Sequence, residues 1–357
     1  MNCCKCKPGY KGTQCKYCDS EDLTVSGIDG FVNENGQGVQ CSKFLISTRS
    51  KLKIVNMLNV LVPISGTYNI IIAGGADEDR RKLSTVEILG DSTCSLPNLP
   101  YGISNGPQMF LDVNQDGKKE VVVCGTSSNP NRTSCLKLDG GSWSSFADLK
   151  KERYQGHVAV SMEDKTFIYG GYENEKSSEI LKHGSESWTE GPAVPGKGIR
   201  YGSGVAISKD ELILIGGWKT EYRIIKYTVS NDTWTYEPDL KTERNGHKCA
   251  WFQNQIFVTG GWQGLKSVDI LTFDPFNIVK GNDFNIGRHL HGFGLLHHQG
   301  KLTLTAFGGT GSAFNKLDSV EVFDDTTGTW KLSKSLKLSE KKDEFQFLSV
   351  PSHIICP

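Results

Sequence analysis

Short apolar runs that end in glycine recur along the chain. Leu212-Ile213-Leu214-Ile215 runs into Gly216-Gly217 and then Trp218. Ile224 to Val229 follows as a second run, Ser230-Asn231-Asp232 makes a turn, and Trp234 opens a third. Arg244, Gly246 and His247 then precede a new apolar run. Runs this short, rich in β-branched residues and bounded by Gly, Asn and Asp, predict strands and an all-β chain. The same strand-plus-glycine signal stands at Ile70–Gly75, Val121–Gly125, Phe167–Gly171, Ile256–Gly261 and Leu304–Gly309. Successive copies lie about 44–50 residues apart, a period that suits a four-stranded unit. Trp143, Trp188, Trp234 and Trp330 fall at matching places after the glycines. Cys94 holds that place in the first copy, and the fifth has no aromatic there. Arg153 with His157, Arg244 with His247 and Arg288 with His291 open the copies that follow.

One such unit buries little alone, whereas neighbours stacked in a ring bury both faces of each. A ring must be closed. Glu344 to Val350 is expected to supply the inner strand of the first unit, with Val55 to Val62 competing for the same slot.

The diglycines, the later Trp and the Arg-Gly-His lead-in resemble the kelch repeat. The resemblance covers about residues 54–357 in six copies. It implies a six-bladed β-propeller of four-stranded blades, with an aromatic after each diglycine and an Arg in the loops between blades. Tyr172, Trp218 and Trp262 hold the first position, and Arg153, Arg200, Arg244 and Arg288 the second. Both sets are expected on one face of the ring, and aromatics with Arg dominate binding hot spots. The competing reading is packing within each blade.

Composition narrows the function classes. The chain has 357 residues, with 40 Lys+Arg against 40 Asp+Glu. That balance gives no electrostatic case for nucleic acid or an anionic membrane. No apolar run is long enough to span a bilayer. Eleven cysteines are unevenly spread, five of them within the first 18 residues. Cys4-x-Cys6-x-x-Gly9-Tyr10-x-Gly12-x-x-Cys15 resembles the C-terminal half of an EGF-like module. A segment that small needs a crosslink. The resemblance implies a Cys6–Cys15 disulfide and an oxidising compartment; a zinc knuckle is the alternative, although no His lies nearby. Attractin-like ectodomains share this pairing of modules. Residues 1–18 are therefore expected to form a partial EGF-like module, 19–53 a linker or small module, and 54–357 the propeller. Met1 is not followed by a charged and then apolar leader, so the expectation is a piece of a secreted or ectodomain protein.

Several local patterns carry candidate chemistry. Asp112, Asn114, Asp116 and Glu120 alternate around Gly117, an oxygen-rich hairpin suited to calcium. It resembles the short calcium loop of integrin-α-type propellers, with Glu120 in place of the usual last Asp; a solvated turn competes. Cys124 and Cys135 flank a strand connection and are expected to pair, with Cys94 competing for Cys124. Asn131-Arg-Thr133 and Asn231-Asp-Thr233 are glycosylation sequons in turns. His157, His247 and His291 sit in register, which argues for structural use. Copper-radical oxidases share the propeller fold, but no counterpart of their tyrosine–cysteine and histidine constellation stands out, and fold alone does not license an activity. The sequence thus predicts a non-enzymatic module that binds a protein or glycan through one propeller face, outside the cell. An intracellular kelch adaptor is the alternative, and a copper oxidase comes third.

Overall fold

The computed structural model describes residues 67–355 apart from 93, 107, 108, 115, 116, 128–130, 140 and 274. The chain divides into two units, Met1–Ile54 and Val55–Pro357, and every described residue lies in the second. The expectations for the cysteine-rich N-terminal segment, including Cys6 and Cys15, lie outside the described residues.

The second unit is a β-propeller of six blades, each an antiparallel sheet running from the axis outwards. In chain order the strands of blade two are Phe110–Val113, Lys119–Cys124, Cys135–Asp139 and Ser142–Phe146. Blade three has Val158–Ser161, Lys165–Tyr169, Ser178–Lys182 and Thr189–Glu190. Blade four has Ser203–Ala206, Glu211–Ile215, Ile224–Thr228 and Thr233–Glu237. Blade five has Lys248–Phe252, Gln255–Thr259, Val268–Thr272 and Asn277–Lys280. Blade six has Gly292–His298, Lys301–Phe307, Ser319–Asp324 and Thr329–Lys337. Blade one takes its inner strand from the far end of the chain: Gln346–Pro351 pairs with Tyr68–Ala73, which pairs with Val86–Leu89. The C-terminal strand therefore closes the ring. It begins two residues later than expected because Glu344 adopts a left-handed conformation (φ 55°) and belongs to the loop. Blade one also departs from the four-stranded expectation. Three strands form it among the described residues, and Cys94 lies in irregular chain where the fourth would run.

The second strand of each blade explains the continuous apolar runs. Alternate side chains on a strand point to opposite faces, and here both faces are covered. Ile70 and Ile72 pack against blade six, with Leu296 and Phe307. Ile71 and Ala73 pack against blade two, with Val121 and Val123. Leu212 and Leu214 meet Val160 and Phe167 of blade three, whereas Ile213 and Ile215 meet Ile256 and Val258 of blade five. The described residues form six apolar clusters, one for each junction between blades. Burying one such side chain contributes roughly 2 kcal/mol, so the core is distributed round the ring. Two of the repeated tryptophans also bond across a junction: Trp143 Nε1 donates to Pro97 O at 2.8 Å, and Trp188 Nε1 to Ala147 O at 3.0 Å.

Candidate functional site

The loops that lead into the inner strands meet in a collar around one end of the axis. Asn105, Gly156, Tyr201, Gly246, Leu290 and Glu344 occupy equivalent places, one per blade, and all six have positive φ between 52° and 81°. Successive members are joined through the backbone. Tyr201 N donates to Gly156 O, Gly246 N to Tyr201 O and Leu290 N to Gly246 O, each at 2.7 Å. Glu344 N then donates to Leu290 O at 3.2 Å, and Asn105 N to Glu344 O at 2.9 Å. Four members are not glycine, and a left-handed conformation costs such residues about 1–2 kcal/mol each. The bonds to neighbouring blades hold them there.

Just outside the collar the structure corrects the reading of the arginines. Arg153, Arg244 and Arg288 have no exposed surface. Arg153 pairs with Glu179 at 3.1 Å, and its Nη1 donates to Gly170 O at 2.7 Å and to Ser177 O at 3.2 Å. Arg244 repeats this with Asp269, Gly260 and Ser267, and Arg288 with Glu321, Gly308 and Ser319. Each guanidinium thus clamps the diglycine turn to the start of the third strand in its own blade. Burial pulls its pKa down, and the partner carboxylate pushes it back. These three are unavailable to a ligand because an uncompensated buried charge must be paired. In blade one Lys342 holds the same place and pairs with Glu87 at 2.6 Å. Arg200 does not share it. Ile199 holds the clamp place in blade four, and Arg200, one residue later, comes out towards the face.

The aromatics behave differently. Tyr172, Trp218 and Trp262 are 36%, 48% and 47% exposed. In each, the backbone N–H donates to the lead-in loop of its own blade, to Tyr154 O, Arg200 O and Asn245 O respectively. The backbone thus fixes where the ring is displayed. The corresponding residues of blades six, one and two are Thr310, Ala76 and Ser127, so the aromatics form a crescent over three consecutive blades. Two clusters extend it. Arg200 lies 4.5 Å over the Tyr172 ring and 5.2 Å over Tyr201, while Arg132 lies 4.0 Å over Tyr154. Trp262 meets His289 and Phe314, with ring centroids 5.1 and 5.8 Å away, and Phe314 is 60% exposed. Tyr154, Tyr201, Arg132 and Phe314 carry no repeat signal, and sequence reasoning missed them.

The three histidines of the lead-in loops are buried and held neutral. Burial depresses their pKa well below the ordinary value, with Arg153, Arg244 and Arg288 adding to the effect. They pack against the preceding blade. A Cβ on Gly216, which has φ 57°, would lie 2.7 Å from His247 Cε1 and 2.6 Å from Arg244 O, so that position has to be glycine.

The remaining predicted residues are scattered. Cys124 and Cys135 are joined in a disulfide within blade two, and Cys94 is itself disulfide-bonded, so it does not compete. Asp112 and Glu120 face each other in the register of blade two. Asp112 accepts from Gly184 N at 3.2 Å, and Glu120 pairs with Lys137 at 3.1 Å. Asn114 accepts from Lys118 N, and Asp116 lies outside the described residues. Among the described residues no three His, Cys, Asp or Glu side chains are grouped to hold a metal. Asn231 is exposed and Asn131 half-buried. No helix among the described residues is long and apolar enough to cross a membrane.

Comparison with known proteins agrees with the architecture. No protein-family model matches the chain. Human Kelch-like protein 6 is 28% identical over 104 residues, which is 29% of this chain and 17% of that protein. Mouse Kelch-like protein 35 is 24% identical over 149 residues, 42% of this chain and 25% of that protein. An F-box/kelch-repeat protein of Arabidopsis thaliana is 24% identical over 160 residues, 40% of this chain and 45% of that protein. The chain thus matches less than half the length of each of these relatives. Six blades with the repeat in register, together with these similarities, support a kelch-repeat propeller.

Proposed function

We propose that this propeller binds a partner protein through the crescent of Tyr172, Trp218, Trp262 and Phe314 with Arg200. The observation that carries the reading is the half-exposed aromatic repeated at one register position on blades three, four and five only. A packing role alone gives no reason for about half of each indole to stay in water. A photo-crosslinking residue at position 218 should capture a partner that the same residue at 236, an exposed place on the outer strand of blade four, does not. Trp262→Ala should weaken binding to that partner by about 2 kcal/mol, roughly thirty-fold, as hot-spot aromatics do. Equal capture from both positions, or unchanged affinity in the variant, would sink the reading.

Two settings fit a binding module. The Cys124–Cys135 bridge favours an oxidising, extracellular one. The similarity to Kelch-like proteins favours an intracellular adaptor. Thiol labelling of the protein from its native cells separates them. A glycan ligand is a further outcome of the same capture experiment. A calcium ion on the Asp112–Glu120 hairpin would have to draw Glu120 away from Lys137, which calorimetric titration with calcium would report. A catalytic copper has no grouped donor set among the described residues.

A further inference from the structure

The axis below the collar holds a cation without a counter-charge. Lys248 opens the inner strand of blade five, and its ammonium reaches across to 5.7 Å from the Phe347 ring centroid on the inner strand of blade one. The groups around it are His157, His247 and His291, all neutral, and Cys249, whose thiol burial pushes up to about 11. Among the described residues no carboxylate pairs with Lys248. Burial pulls its pKa down to about 8, which still leaves it mostly protonated at neutral pH. Glu344, the collar acid that borders the same space, accepts from Asn105 Nδ2 at 2.5 Å.

There is room beside this ammonium. A space of about 30 Å³ lies directly under the collar, bordered by Tyr201, Leu290, Glu344 and Lys248. A second, of about 10 Å³, lies next to it, bordered by His157, Ser203, Lys248 and Cys249. Spaces of this size take a water or a single small ion. Lys248 is half-buried on the axis and has no carboxylate partner among the described residues, so its ammonium is incompletely compensated there, and an adjacent anion supplies the counter-charge.

We propose that the axial space beside Lys248 binds one small monovalent anion of halide size, held by the Lys248 ammonium. The site is separate from the aromatic crescent, and its test involves no partner, so the two readings stand or fall independently.

The experiment uses bromide as the probe. Crystals grown in bromide should give an anomalous peak beside Lys248 Nζ. Thermal denaturation should occur at a higher Tm in sodium bromide than in sodium gluconate of equal ionic strength. Lys248→Met should lose both effects. A water in place of the anomalous peak, or equal Tm in the two salts, overturns the proposal. So does a bromide peak that persists in Lys248→Met. Diffraction from the unsubstituted protein decides the matter even if that variant does not fold.

Discussion

Blades three and four hold the same turn with opposite chemistry. Blade three buries Arg153 against Glu179, both without exposed surface. Blade four has Ile199 and Ile225 in those places, both inside its apolar cluster or fully buried. Blade two resembles blade four, with Ile103 and Leu136 packed in one cluster. Base and acid are thus present together in blades one, three, five and six, and absent together in two and four. Where they are absent, another tie appears at the same turn. In blade two it is the Cys124–Cys135 disulfide. In blade four Arg223, which precedes the third strand, donates to the carbonyls of Pro195 and Gly198. The repeat requires that the turn be fastened; the chemistry of the fastening is open. An arginine that recurs in register therefore marks a fastening before it marks a binding face.

The largest effect should come from breaking one half of a clamp. Arg153→Ala leaves Glu179 buried without its cation, and a loss of about 3–5 kcal/mol is expected in urea denaturation. A loss below about 1 kcal/mol would mean that blade three does not depend on the pair.

A smaller effect distinguishes the blades by their histidines. Blades three, five and six bury His157, His247 and His291, whereas blade one has Phe345 in that place. The folded state keeps these rings neutral, while the unfolded chain protonates them near pH 6.5. As pH falls below about 6.5 the unfolded state binds more protons, so stability falls by up to about 1.4 kcal/mol per pH unit for each histidine. Above that pH both states are neutral and this contribution vanishes. His157→Phe should flatten the slope of stability against pH by one histidine's share.

The smallest effect should come from converting one kind of blade into the other. Arg244→Ile with Asp269→Ile copies blade four into blade five. Replacing a buried ion pair by packed apolar groups is often neutral or stabilising, so unfolding should stay within about 1 kcal/mol of the original protein or shift to higher denaturant. A double variant as weak as Arg244→Ala would show that blade five needs the charges themselves.

Much of the fold was legible because its main signal is repeated. Six apolar runs ending in glycine mark the second strands, whereas the closing strand was legible only as a preference for Glu344 to Val350 over Val55 to Val62. The three-stranded sheet of blade one was not legible, since nothing around Cys94 marks a missing partner. The clamp was half legible. Arg153, Arg244 and Arg288 stood out, but a loop arginine is exposed by default, and they were read that way. The corrective signal was present in Ser177-Ser178-Glu179, Ser267-Val268-Asp269 and Ser319-Val320-Glu321, at the start of the third strand of blades three, five and six, with Thr85-Val86-Glu87 as a fourth in blade one. Tyr172, Trp218 and Trp262 could be named because they recur. Phe314 and Tyr201 could not, since each occurs in one blade only and owes its place to the path of a loop.

The collar has an implication for how such a ring can diversify. Its bonds run from backbone to backbone, and its six positions carry Asn105, Gly156, Tyr201, Gly246, Leu290 and Glu344, side chains with nothing in common. The bonds there read the main chain, and only Gly156, where a Cβ would lie 2.4 Å from Tyr201 N, is held to glycine by a backbone clash, so what the rest of the rim displays can be rewritten while the ring stays the same size. A scaffold of this kind separates heredity of shape from heredity of taste: the strands preserve the one, and the rim is free to explore the other.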